Sequence, residues 1–103
     1  MGATTFEVEW TGITARKAFN EAVKEARHMH GHKGYTGTIA EKDDFRMFFV
    51  PPSYLPNGSR RAAIHRYIDY LVEADGNPVG KWKPAGCIML KDSKYLFFGW
   101  ASE

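Results

Sequence analysis

Cysteine is almost absent: Cys87 stands alone among 103 residues. No disulfide can close within the chain, which excludes a disulfide scaffold and fits a reducing compartment. Long hydrophobic runs are missing too. Nothing approaches the roughly 20 apolar residues needed to cross a bilayer, and the N-terminus lacks the basic-then-apolar order of a signal peptide. The chain therefore reads as cytoplasmic, with no membrane partner. Charge of one sign is scarce: 14 Lys plus Arg against 12 Asp plus Glu leave a formal +2, too little for bulk charge to demand a nucleic acid. There is no internal repeat, no low-complexity tract, no Ser-His-Asp arrangement and no carboxylate pair that stands out. Catalysis is thus not called for by any motif, and no cofactor is implied.

What the chain does hold is an ordinary globular balance, 44% hydrophobic and 25% charged, with seven Phe, five Tyr and three Trp. That composition supports a folded core rather than disorder, and the length allows one domain over 1–103. Residues 5–10, Thr-Phe-Glu-Val-Glu-Trp, alternate with the period of a half-buried strand. Thr14 stands at an N-cap, and Ala15, Ala18, Phe19, Ala22, Val23 and Ala26 recur at helical spacing, predicting a helix over 14–30 that ends at Gly31 and Gly34. A short strand is expected near Thr38–Ala40. Residues 45–50, Phe-Arg-Met-Phe-Phe-Val, predict a strand stopped by Pro51-Pro52. Ser59 caps a second helix carrying Ala63, Ile64, Tyr67, Ile68 and Leu71, closed by Gly76. Residues 86–91 and 94–100 predict a hairpin around Asp92-Ser93.

This order predicts an α+β fold, a single domain with a mainly antiparallel sheet of about four strands and both helices on one face. The other sheet face would then expose aromatics such as Phe48, Tyr95, Phe97 or Trp100 as a docking or dimer surface.

The densest group of unusual residues is His28-Met29-His30-Gly31-His32-Lys33-Gly34-Tyr35-Thr36-Gly37-Thr38. His28, His30 and His32 are candidate metal ligands, since neutral imidazole suits zinc, copper or nickel. On a helix, however, His28 and His30 lie about 200° apart, and no Cys or carboxylate completes a recognisable spacing. Gly34 and Gly37 beside Lys33, Tyr35, Thr36 and Thr38 suit a phosphate, because bare amides can approach an anion while hydroxyls and an ammonium complete the contacts. The plain alternative is a turn that reverses the chain after a helix. Trp82, between Lys81 and Lys83, suits stacking on a base, and serves equally as an anchor for a loop. Arg60 and Arg61 open the second helix, where its dipole prefers acids, so they are candidates to meet an anionic partner. Arg61, His65 and Asp69, spaced by four, predict an intrahelical ladder. Cys87, in a strand beside Ile88, reads as a buried small apolar residue.

Two stretches, residues 30–42 with their His-Gly-His-Lys-Gly-Tyr-Thr-Gly-Thr-Ile-Ala-Glu-Lys order, and Pro84-Ala85-Gly86-Cys87 with Tyr95-Leu96-Phe97-Phe98-Gly99-Trp100-Ala101, resemble small uncharacterised proteins encoded by bacteriophages. The resemblance covers about a third of the chain. It implies a small protein of the host cytoplasm during infection, of the anti-defence kind, and carries over no catalytic residue. Three functions follow in order: a non-catalytic holder of a phosphate-bearing nucleotide at Lys33–Thr38 with Trp82; an inhibitor of a host protein acting through the aromatic sheet face with Arg60 and Arg61 at its rim; and a metal-dependent enzyme on the histidines. The partner is accordingly a phosphate-bearing small molecule or a host protein, with a homo-oligomer left open.

Overall fold

A computed structural model describes residues 3–30, 37–54, 59–73, 78–80 and 82–102, the side chains of His30 and Ser102 excepted. Strand β1 is Ala3–Thr11 and helix α1 is Ala15–His30. The turn Ile39–Glu41 and strand β2, Phe45–Met47, follow. After the turn Pro52–Tyr54 come helix α2, Arg60–Glu73, and the hairpin of β3, Ala85–Lys91, with β4, Lys94–Ser102. The strands form one sheet in the order β1-β4-β3-β2. β4 runs antiparallel to both β1 and β3, while β2 and β3 are parallel. The α+β class, the four strands and the mainly antiparallel pairing are those the sequence predicts.

The capping expectations hold as well. The Thr14 hydroxyl accepts from the Lys17 amide at 3.1 Å, and the Ser59 hydroxyl accepts from the Ala62 amide at 3.1 Å. The Asp92-Ser93 turn joins the hairpin, with Ser93 at φ 64°. Residues 38–40 are not a strand: Thr38 accepts from the Ala40 amide at 3.2 Å, which winds Ile39–Glu41 into a single 3-10 turn. β2 is shorter than expected, although the Phe48 amide still donates to the Cys87 carbonyl. The glycines expected to end the helices, Gly31, Gly34 and Gly76, lie outside the described residues.

The helices do not share a face. Ala18, Phe19, Ala22 and Val23 of α1 pack with Ala85, Cys87, Tyr95 and Phe97, backed by Phe6, Val8 and Trp10. Ile64, Ile68 and Leu71 of α2 pack with Ile88, Leu96 and Phe98. Odd and even positions of β4 thus face opposite helices, as the period of two requires. The topology explains the correction. β1, β2 and β3 all point the same way, so α1 and α2 each serve as a crossover between parallel strands. The first crossover moves from one sheet edge to the other and the second moves back. Two crossovers of the same hand then lie on opposite faces, and the right-handed preference of such units is about 98%. Placing both helices on one face would make one of them left-handed.

Both sheet faces are consequently covered, and the aromatic docking face expected from the sequence is not there. Tyr95 is 8% exposed and Phe97 fully buried; Phe48 packs into the α2 cluster, and the Trp100 indole N–H donates to the Val72 carbonyl of α2 at 2.8 Å. Gly86 has a specific reason to be glycine: a Cβ there would lie 2.4 Å from the Phe98 ring, which crosses its paired residue.

Candidate functional site

The hairpin turn places Lys91 directly opposite Lys94. Like charges in facing positions repel. Just before the turn the β3–β4 register shifts between Met89 and Lys91. At this irregularity the guanidinium of Arg60, from the first turn of α2, donates to the Leu90 carbonyl at 2.6 Å and to the Met89 carbonyl at 3.0 Å. Arg60 is thereby fixed over the hairpin by neutral groups, and among the described residues no carboxylate pairs with it. Beside it, Arg61 Nη1 lies 2.8 Å from Glu9 Oε1, and Lys94 Nζ lies 3.5 Å from Glu9 Oε2. The hydrogen bond from Arg61 chiefly, aided by the charges of Arg61 and Lys94, holds the Glu9 carboxyl below its usual range. Glu9 is therefore a carboxylate at neutral pH, and it is shared by two cations.

Arg60, Arg61, Lys91 and Lys94, with Ile64 and Leu90 as an apolar floor, line a cleft of about 280 Å³. Four cations meet one carboxylate there. Four cations over an apolar floor equip the cleft to hold an anion. Arg60 and Arg61 stand out in the sequence as candidates to meet an anionic partner. Lys91 and Lys94 were missed, although a lysine on each side of a two-residue turn already places them face to face.

Among the other sequence candidates, the described ones do not come together. Lys33, Gly34, Tyr35, Thr36 and His32 lie outside the described residues, as does Lys81. Gly37 adopts φ 72°, a left-handed conformation that favours glycine on backbone grounds alone. The Thr38 hydroxyl caps the Ile39–Glu41 turn. Trp82 is 77% exposed and lines a cleft of about 320 Å³ with Glu41, Asp43, Asp44 and Lys83. Thr38 lines a different groove, under α1, so Thr38 and Trp82 do not converge. The carboxylates beside Trp82 also oppose a phosphate. One link does join the two segments: Lys42, 3% exposed, donates through Nζ to the carbonyls of Gly80 at 3.0 Å and Lys83 at 2.7 Å. Burial pulls its pKa down to about 8.

His28 is exposed on α1. Among the described residues, no three of His, Cys, Asp and Glu stand close enough together to hold a metal ion. The ladder expected from Arg61 and His65 instead reaches across to β1: Arg61 pairs with Glu9, and His65 Nδ1 lies 3.4 Å from Glu7 Oε1. Cys87 is fully buried, as expected, and burial pushes its thiol up to about 12. No helix among the described residues is long and apolar enough to cross a membrane. No protein-family profile, curated protein or solved structure matches the chain, so its own residues carry the functional argument.

Proposed function

We propose that this protein is a non-catalytic binder of a phosphate-bearing small molecule, a nucleotide by preference, and that the phosphate sits in the cleft of Arg60, Arg61, Lys91 and Lys94. The observation that carries this is the cleft's charge: four cations from three elements, α2, β3 and β4, around the carboxylate of Glu9, with two lysines opposed across a turn. A bound phosphate relieves that repulsion and accepts charge-assisted hydrogen bonds from guanidinium and ammonium groups. The phosphate class is the one expected from the sequence, while the place differs from the glycine-rich segment first considered. In the phage context that the sequence suggests, such a protein would act on host defence by holding a nucleotide signal stoichiometrically.

Isothermal titration of the full chain with ATP and with inorganic pyrophosphate tests this. Saturable binding is expected, weakening as salt is raised and falling about tenfold or more in Lys91→Glu, a reversal of charge at an exposed position that forms no ion pair among the described residues. Absence of binding for both probes, or equal affinity in K91E, refutes the site.

A further inference from the structure

Among the described residues nothing pairs with the outer edge of β1, and its hydrogen-bonding phase follows from the ladder. β1 lies at one end of the sheet order and pairs only with β4. The Gly12 amide donates to the Ser93 carbonyl at 2.9 Å, continuing the β1–β4 register by one position. Narrow and wide pairs alternate along an antiparallel ladder. The even residues Thr4, Phe6, Val8 and Trp10 therefore direct their N–H and C=O groups inward to β4. The odd residues Ala3, Thr5, Glu7, Glu9 and Thr11 direct theirs outward. The Trp100 amide confirms the phase: opposite Thr5, it turns away from β1 and donates to the Val79 carbonyl at 2.9 Å. An outward row of this length on a nine-residue strand is a template for another strand.

The side chains next to that edge also want cover. Phe6, Val8 and Trp10 are only partly buried under α1. They line an apolar groove of about 240 Å³ with Ala22, Ala26 and Met29, and Met29 is 68% exposed. On the opposite face of β1, Glu7 and Glu9 restrict which strand can approach, because like charges in facing positions repel.

We infer that a second copy of this chain covers the edge, β1 pairing antiparallel with β1 across a two-fold axis at Phe6. The carboxylates select this register. An axis at Glu7 sets Glu7 against Glu7, and one at Val8 sets Glu7 against Glu9. An axis at Phe6 sets Glu7 against Thr5 and Glu9 against Ala3, and it is the longest self-pairing of β1 that opposes no two carboxylates. The odd residues from Ala3 to Glu9 then exchange about eight main-chain hydrogen bonds, two for each narrow pair. Phe6 meets Phe6 in a wide pair, where side chains come closest, and the apolar grooves of the two copies become continuous beneath the α1 helices. The sheet becomes eight-stranded. Both basic clefts fall on its α2 face, with their Glu9 residues about 20 Å apart along the strand direction. This dimer does not depend on what the clefts bind.

Light scattering coupled to size exclusion, run over a range of concentrations on the full chain, reads the mass directly. Twice 11.7 kDa is expected. Thr5 is exposed and its amide points outward, so substitutions there spare the β4 ladder, which circular dichroism verifies. Thr5→Glu faces Glu7 of the second copy and is expected to weaken dimerisation about tenfold. Thr5→Lys, facing the same Glu7, is expected to preserve or tighten it. Thr5→Pro removes an outward N–H, and proline is tolerated at an edge; a folded monomer is expected. A single-chain mass for the wild type at every concentration overturns the inference. So does a dimer that T5E and T5P leave intact.

Discussion

The two faces of the sheet are held by different means. On the α1 side, Phe19, Phe45 and Phe97 form an aromatic triad with centroids 5.1–5.9 Å apart in tilted and edge-on contacts, and the Arg16 guanidinium lies 4.6 Å from the Phe45 ring centroid while pairing with Asp44 at 2.7 Å. On the α2 side the fully buried core is aliphatic apart from Phe98, with Ile64, Ile68, Leu71, Ile88 and Leu96, and Phe48 and Tyr67 pack against it half-buried. There polar straps bind helix to sheet: Arg60 to two carbonyls, Arg61 to Glu9, and the Trp100 indole to Val72. Aromatic packing with an ion pair at its start sets α1, whereas α2, packed on a mainly aliphatic core, is tied by Arg60 and Arg61 at its start and by the Trp100 bond to Val72 at its end. Directional bonds fix where individual charges sit, and the basic cleft lies on that side.

Substitutions graded by size can break this contrast. The greatest loss is expected for Phe97→Ala, at the centre of the aromatic triad: about 3–5 kcal/mol in urea unfolding, the range for emptying a packed aromatic site. A cost near that of an exposed substitution would show that the triad does not carry the α1 layer.

The second test concerns Lys42, the one buried charge among the described residues. Its folded pKa of about 8 lies below the ordinary 10.5. Below pH 8 both folded and unfolded states carry the proton, and the penalty for burying the charge is complete. Between 8 and 10.5 the unfolded chain binds more protons, so stability must rise with pH. Relative to Lys42→Met, the wild type is expected to gain about 2 kcal/mol between pH ~7.5 and ~9.5. A difference that stays flat with pH would mean that the Lys42 ammonium is not desolvated.

Trp100→Phe removes one strap and keeps an aromatic ring though not the whole indole, for an expected loss of about 1 kcal/mol from the hydrogen bond. Calorimetry reads it, and a loss as large as that of F97A would erase the distinction between the layers. The smallest effect is expected for Arg61→Ala. Arg61 and Glu9 are both solvent-accessible, and exposed pairs contribute little, so the midpoint of unfolding should stay close to that of the wild type while ATP binding weakens.

Element by element, the sequence was most legible where one short-range pattern decided the outcome. The 3.6-residue spacing from Ala15 to Ala26 and the Thr14 and Ser59 hydroxyls specify helices and their starts, because both effects act within a single turn. Gly37 and Thr38 were harder: a glycine-rich segment suits an anion and a turn equally, and the structure uses both residues for the backbone. The cleft was half legible. Arg60 and Arg61 stand out at a helix start, but their meeting with Lys91 and Lys94, some 30 residues away, depends on how α2 crosses the sheet.

By itself the sequence determined the two helices with their N-caps, the strands other than the one expected at 38–40, the hairpin turn and the burial of Cys87. It also held a sign of two-sided burial that a one-faced scheme overlooked: Tyr95-Leu96-Phe97-Phe98 is apolar at four consecutive positions, and such a strand needs cover on both faces. Only the tertiary structure decided which helix covers which face, which cations share a cleft and which strand edge stays open. Periodicity and capping are local, whereas crossover handedness and strand order follow from the path of the whole chain through the sheet.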